Sequence, residues 1–118
     1  MNETSLMHHI QLALSEHGCI VFRNNVVQAW VGELVNRTAT HATLRNPRPL
    51  HAGLAVGSSD LIGITPSGHF LAVEVKTPTG RIRPEQQKFV DAVNRAGGVA
   101  GIVRSVDDAL RLIGVVKL

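Results

Sequence analysis

Asp60, Glu74 and Lys76 are charged residues set inside stretches that otherwise read as buried strand. Leu61 to Thr65 and Phe70 to Val75 are apolar on both faces, the pattern of a central strand with no solvent side. Between them, Thr65-Pro66-Ser67-Gly68-His69 reads as a three-residue hairpin loop. Proline suits its first turn position and Gly68 supplies the left-handed residue such loops need. If Thr65 faces His69, Asp60 lies directly opposite Glu74, and alternation puts Lys76 on the same face, roughly 7 Å beyond Glu74. A two-residue loop would shift the register by one and send Asp60 to the other face.

Two carboxylates sharing a site repel, which raises the pKa of at least one unless a cation is present. A divalent ion removes that cost, and oxygen-only ligands select hard ions, Mg²⁺ or Mn²⁺ rather than zinc. Such an ion lowers the pKa of a bound water and polarises a phosphodiester oxygen, while Lys76 orients the water or stabilises developing charge. The implied chemistry is phosphodiester hydrolysis. The bland alternative is an ordinary ion pair between Glu74 and Lys76, with Asp60 merely starting a strand; on a solvated face that pair is worth about 0–1 kcal/mol. Ile62, Ile64, Phe70 and Ala72 share the face and argue against solvation.

The elements that position these groups follow from pattern. Residues 3 to 17 read as a helix, with Leu6, Ile10, Ala13 and Leu14 at helical spacing and Gly18 as its stop. Glu3 falls at its start, on the side shared with Leu6, Met7 and Ile10. It is either a favourable charge at a helix N-terminus or a third metal ligand reaching inward. Cys19 to Arg23 is a short strand, and residues 28 to 36 form another. From Thr38 to Gly57 the chain is rich in Asn, Pro, His and Arg with weak periodicity and reads mainly as an extended loop, a candidate substrate-contacting element carrying Arg45, Arg48 and His51.

Thr77-Pro78-Thr79-Gly80 turns the chain after Lys76, and Pro84 opens a helix that runs to about Ala96 and closes on Gly97-Gly98. Phe89, Val90 and Val93 form its buried stripe. Gln86 belongs to that inward face, whereas Gln87 groups with Asp91 and Asn94 outside. A buried glutamine needs partners: a metal-bound water or Lys76 on one reading, a helix cap or core contact on the other. Val99 to Val103 is a further strand, and Ser105 caps a last helix from Val106 to about Ile113. This order gives an α/β sandwich around a mixed sheet.

At 118 residues the chain reads as one domain, 1–118, and 44% hydrophobic content with 18% charge is that of a globular protein. Its net charge of +3 comes from nine arginines and three lysines, so a polyanionic partner is plausible, or else simply a solvated basic face. Four arginines between Arg23 and Arg48 are opposed only by Glu33, and Arg81 and Arg83 follow the Glu74 strand. With no Tyr and one Trp, base stacking on an aromatic platform is disfavoured. Cys19 is the only cysteine, which excludes an internal disulfide and a Cys-based zinc site. The six histidines are scattered, apart from the adjacent His8 and His9, and read as surface or loop residues. No signal peptide or membrane-spanning run is seen, and the expectation is a reduced, cytoplasmic protein with no membrane partner.

An Asp at a strand start, a Glu-x-Lys on the next strand, an upstream helical Glu and a following helix together resemble the PD-(D/E)xK nuclease superfamily. Within it the chain resembles the VRR-NUC family, the virus-type replication and repair nucleases. The matching words are Glu3, Phe22-Arg23-Asn24-Asn25, Gly53-Leu54-Ala55-Val56-Gly57-Ser58-Ser59-Asp60-Leu61-Ile62-Gly63, Glu74-Val75-Lys76, Gly80-Arg81, Pro84-Glu85-Gln86 and Ala96-Gly97-Gly98. The resemblance implies a restriction-endonuclease-like core with a mixed central sheet flanked by helices. It implies metal carboxylates at Glu3, Asp60 and Glu74, with the Val75 carbonyl completing the protein ligands, Lys76 as catalytic lysine and Gln86 as the helix glutamine. Ser59 stands where the superfamily has proline.

The resemblance further implies Mg²⁺- or Mn²⁺-dependent cleavage of DNA, branched structures such as four-way (Holliday) junctions among them, by a phage-type homodimer active in DNA repair, with no small-molecule cofactor. Arg23, Arg45, Arg48, Arg81 and Arg83 are the expected DNA contacts. The competing expectations are a nuclease of the same fold acting on linear duplex DNA or ends, and a noncatalytic DNA-binding module.

Overall fold

The computed structural model describes residues 2–25, 27–52, 55 and 57–115, apart from the side chains at 27, 28, 51 and 52. Gly53, Leu54 and Val56 of the matched words, and the side chain of His51, lie outside the described residues. Among the described residues nine elements follow one another: α1 (Glu3–Glu16), β1 (Ile20–Arg23), β2 (Val27–Arg37), β3 (Ala42–Ala52), β4 (Leu61–Ile64), β5 (Phe70–Val75), α2 (Pro84–Arg95), β6 (Val99–Val103) and α3 (Val106–Leu112).

Four strands form a mixed sheet in the order β1-β4-β5-β6, antiparallel except for the parallel pair β5 and β6. The register of the hairpin is the one a three-residue loop dictates: Leu61 faces Val73 and Ile64 faces Phe70. Its loop is closed by Thr65 N–H donating to the His69 carbonyl at 2.9 Å, with Gly68 in the left-handed region.

Alternation along β5 sorts its side chains between two layers. Leu71, Val73 and Val75 point to the layer of α1 and α3, where Leu6, Met7, Ile10 and Leu14 of α1 complete the main core with Leu61, Val103 and Ala109. Each fully buried leucine or valine there contributes about 1.5–3 kcal/mol. Ala72 and Glu74 point to the other layer, where α2 packs through Val90 on Ala72 and Ala100. Alanines at both contact points let α2 lie close to the strands, which brings its first turn within reach of Glu74.

This second layer is incomplete. Ala72 is buried, but Ile64 and Phe70 on the same face are exposed, because α2 covers only the β5 and β6 half of the sheet. The apolar run was therefore not a sign of uniform burial; only its Glu74 end is shielded.

The expected extended loop between Thr38 and Gly57 is instead largely strand. Residues 42–52 form β3, which pairs antiparallel with β2 in a separate two-stranded ribbon, from Val27 opposite Ala52 to Arg37 opposite Ala42. The ribbon is irregular between Val31 and Glu33 and between Leu34 and Asn36, and Asn46 has a positive φ of 52°. Strands that bury neither face on a core carry no hydrophobic alternation, and the bulges break what period remains. Among the described residues no helix is long and apolar enough to cross a membrane.

Candidate active site

Asp60 and Glu74 meet at the end of the hairpin, on the side covered by α2. Both line a cleft of about 230 Å³ with Asn24, Gly57, Ser58, Arg83, Glu85 and Gln86. Glu74 is 2% exposed. Lys76 follows on the same face, with its Nζ 3.8 Å from Glu74 Oε1. Its backbone N–H donates to the Val103 carbonyl at 3.0 Å, so β6 fixes the main chain that carries the lysine.

Each carboxylate has one oxygen engaged. Asp60 Oδ2 accepts from the Val75 N–H at 3.0 Å. Glu74 Oε1 accepts from Gln86 Nε2 at 2.9 Å, and Gln86 Oε1 in turn accepts from the Arg83 N–H at 2.9 Å. Gln86 thus caps α2 and holds Glu74 with the same side chain; the cap, which needs the oxygen, leaves the amide nitrogen for the carboxylate. Its oxygen takes the helix-cap role, and its nitrogen meets Glu74 rather than Lys76.

Glu74 Oε2 is buried and has no hydrogen-bond partner among the described residues. Burial first, and then the charge of Asp60, push the Glu74 carboxyl up to about 8, with Lys76 opposing the shift only partly. A buried, orphaned carboxylate oxygen beside a second carboxylate fits a hard divalent cation, which would pair the oxygen and relieve the repulsion.

The strand-to-site loop is fixed by two devices. Asn24, just past β1, donates from Nδ2 to Ser58 Oγ at 2.7 Å and to the Ser59 carbonyl at 3.0 Å, while its N–H donates to the Asp60 carbonyl at 2.7 Å. Gly57 has φ +85°, and a Cβ there would come within 2.6 Å of the Glu85 carbonyl oxygen. Only glycine allows the loop to lie against the first turn of α2 and close the cleft. Ser59 is fully buried with its hydroxyl unpartnered among the described residues, at the position where the superfamily has proline.

Glu3 does not join the cluster. It is exposed in the first turn of α1, does not line the cleft, and no group of three His, Cys, Asp or Glu side chains among the described residues is placed to hold a metal. The reason is layering: α1 packs under the sheet with Val73 and Val75, whereas Glu74 points to the α2 side. Of the five expected DNA-contacting arginines, Arg83 lines the cleft. Arg23 and Arg81 are exposed outside it, and Arg45 and Arg48 lie on the ribbon, Arg45 paired with Glu33 at 3.4 Å.

Sequence reading missed Arg104, whose guanidinium donates to the carbonyls of Thr77 and Gly80 and braces the turn after Lys76. An arginine in a turn after an apolar strand carries no local mark of such a role. Asn24 stood in the matched words without a function. Its position between a strand end and the Gly57 loop was the available hint.

A mixed sheet with helices on both faces, carrying two carboxylates and a lysine at the end of a hairpin, defines a restriction-endonuclease-like protein. Residues 12–107 match the VRR-NUC domain family, and the chain belongs to that family. It is accordingly of nuclease type, a hydrolase whose partner is DNA. The match contains Asp60, Glu74, Lys76 and Gln86 and begins after Glu3. No curated protein matches the chain.

Proposed function

We infer that the protein is a Mg²⁺- or Mn²⁺-dependent DNA endonuclease, selective for branched DNA such as four-way junctions and acting as a homodimer in the cytoplasm of a phage-infected or bacterial cell. The observation that carries the metal dependence is Glu74 Oε2, buried beside Asp60 and without a partner among the described residues. Asp60 and Glu74 would hold the ion. The Val75 carbonyl would complete the protein ligands, since in an extended strand it points the same way as the Val75 N–H that Asp60 already receives. Glu3, the third carboxylate that the resemblance implies, would have to reach round the strand ends from the first turn of α1 to join them.

Bound there, the cation would supply Lewis acidity to a scissile phosphodiester. The chain's own groups do the rest. Lys76 places an ammonium beside the reacting phosphate and stabilises charge developing on it. Gln86 keeps Glu74 turned into the cleft, and α2 and the Gly57 loop exclude bulk water from its inner wall. Arg83 at the cleft and Arg23, Arg81, Arg45 and Arg48 further out would grip the DNA backbone. Two copies related by a two-fold axis match a four-way junction's own symmetry and would deliver paired cuts.

The deciding experiment incubates purified protein with four-way, flap and linear duplex DNA, with and without Mn²⁺. Metal-dependent cutting of the junction ahead of the linear duplex is expected. Equal cutting of linear duplex would favour the less selective nuclease, and metal-independent binding without cleavage would favour a binding module.

A further inference from the structure

Two apolar surfaces have nothing packed on them among the described residues. One is a face of the β2–β3 ribbon: Trp30, Leu44 and Pro47 line a common depression, and Leu34 shares that face as the cross-strand partner of Leu44. Trp30 is 61% exposed. The other is the part of the main sheet that α2 leaves bare. Ile20 lies opposite Ile64 and Phe22 opposite Ile62, and Phe70 borders Ile64 from the far side. Phe22 is 55% exposed.

A two-stranded ribbon alone is marginally stable in water, and among the described residues neither ribbon strand has a substantial contact with another element. The chain exposes 7846 Å², against roughly 6,200 Å² for a compact monomer of its mass. Its radius of gyration is 17.0 Å, against about 13.5 Å for a compact domain of this length. The surplus of about 1,600 Å² per chain is what a large homodimer interface removes.

Aromatic, leucine and proline side chains, with Arg37 at one end as the cross-strand partner of Ala42, make the Trp30 face resemble the apolar core and charged rim of a protein interface, not a surface for a polyanion. The arginines that would meet DNA, Arg45 and Arg48, each follow a residue of the Trp30 face in sequence and so lie on the opposite side.

We propose that the Trp30 face of each ribbon docks on the bare sheet face around Phe22 of a second copy of this chain, reciprocally, in a two-fold dimer. The arginine side of the ribbon stays open to DNA. This names the contact surface of the homodimer inferred above and rests on that two-copy reading.

Trp30 is the only tryptophan, so its fluorescence reports the contact directly. Light scattering should give a dimer, and Trp30 emission should shift to the blue as concentration rises through the dimerisation range. Leu34→Asp on the ribbon and Phe22→Asp on the sheet alter exposed side chains; each should weaken dimerisation at least tenfold with the far-ultraviolet spectrum unchanged. Mixing the two variants should restore dimers containing one of each, because one intact ribbon-to-sheet contact survives in that pair. A dimer that forms equally well with either substitution, or whose Trp30 emits as an exposed indole, overturns this surface while leaving the two-copy reading in place. A strict monomer removes both. A blue shift seen only when duplex DNA is added overturns the proposal and assigns the Trp30 face to DNA. The wild-type fluorescence decides the matter even where a variant fails to fold.

Discussion

Gln86 donates its side-chain amide to Glu74 Oε1 at 2.9 Å from the first turn of α2, while its oxygen caps the same helix. One side chain therefore couples the start of a helix to the orientation of a buried carboxylate. Gln86→Ala should cost about 1 kcal/mol through the lost cap and lower cleavage further by freeing Glu74. Gln86→Glu keeps an acceptor for the cap but sets a carboxyl against Glu74. Its metal-free melting temperature should match wild type in acid, where the new group is protonated, and fall below it as pH rises.

The raised pKa of Glu74 makes metal-free stability depend on pH. A carboxyl at about 8 in the folded state and 4.5 in its ordinary state binds its proton more tightly when folded. Its contribution is complete below 4.5 and is lost progressively as pH rises to about 8, by up to roughly 1.4 kcal/mol per pH unit. Asp108 works in the opposite sense and at lower pH. The Arg104 N–H first, and then Arg111, hold it below the usual carboxylate range, so its contribution fades only on acidification. Melting curves of metal-free protein should therefore show stability falling across this window, and Glu74→Gln should flatten the fall. Mn²⁺ should raise the melting temperature most at the alkaline end.

Substitutions at the site should separate binding from chemistry. Asp60→Asn and Glu74→Gln should weaken Mn²⁺ binding, measured by calorimetry, along with cleavage. Lys76→Ala should retain the ion and lower the cleavage rate by roughly 10²- to 10³-fold. Glu3→Gln should weaken Mn²⁺ binding less than Asp60→Asn, by about tenfold. Normal cleavage by Lys76→Ala would remove the lysine from the mechanism, and unchanged Mn²⁺ affinity in Glu3→Gln would remove that carboxylate from the ligand set.

The Gly57 loop offers a test of cleft closure. An alanine there must adopt a left-handed backbone, at about 1–2 kcal/mol, and its Cβ meets the Glu85 carbonyl oxygen at 2.6 Å. Gly57→Ala should lower the melting temperature and reduce cleavage by displacing Asp60, although it removes no functional group. Full activity would show that the loop's contact with α2 is dispensable.

Ser59→Ala should be stabilising. It deletes a buried hydroxyl that has no partner among the described residues, a gain of about 1 kcal/mol or a rise of roughly 3–6 °C in melting temperature.

The hairpin and its acidic pair were legible in the sequence because proline, glycine and loop length at Thr65–His69 dictate register without reference to anything distant. The helices were legible through their caps, Gly18 ending α1 and Ser105 opening α3. What escaped reading depends on neighbours or lacks them. The ribbon has no core to impose alternation, so Ala42 to Ala52 looked like loop. Which layer α1 occupies, and with it the placement of Glu3, is set by packing that no local pattern encodes. The brace that Arg104 gives to Thr77 and Gly80 spans more than twenty residues of chain and has no signature at either end.

Asp60 spends one oxygen on the Val75 N–H, and Glu74 spends one on Gln86. Toward the proposed cation each would be left as a monodentate donor. Ca²⁺, which favours six to eight oxygens and often bidentate carboxylates, would be undersupplied here. A smaller octahedral ion that keeps several waters of its own would not. With an ion bound as proposed, the backbone amide and the glutamine would thereby act as a denticity filter, set by hydrogen bonds rather than by cavity size.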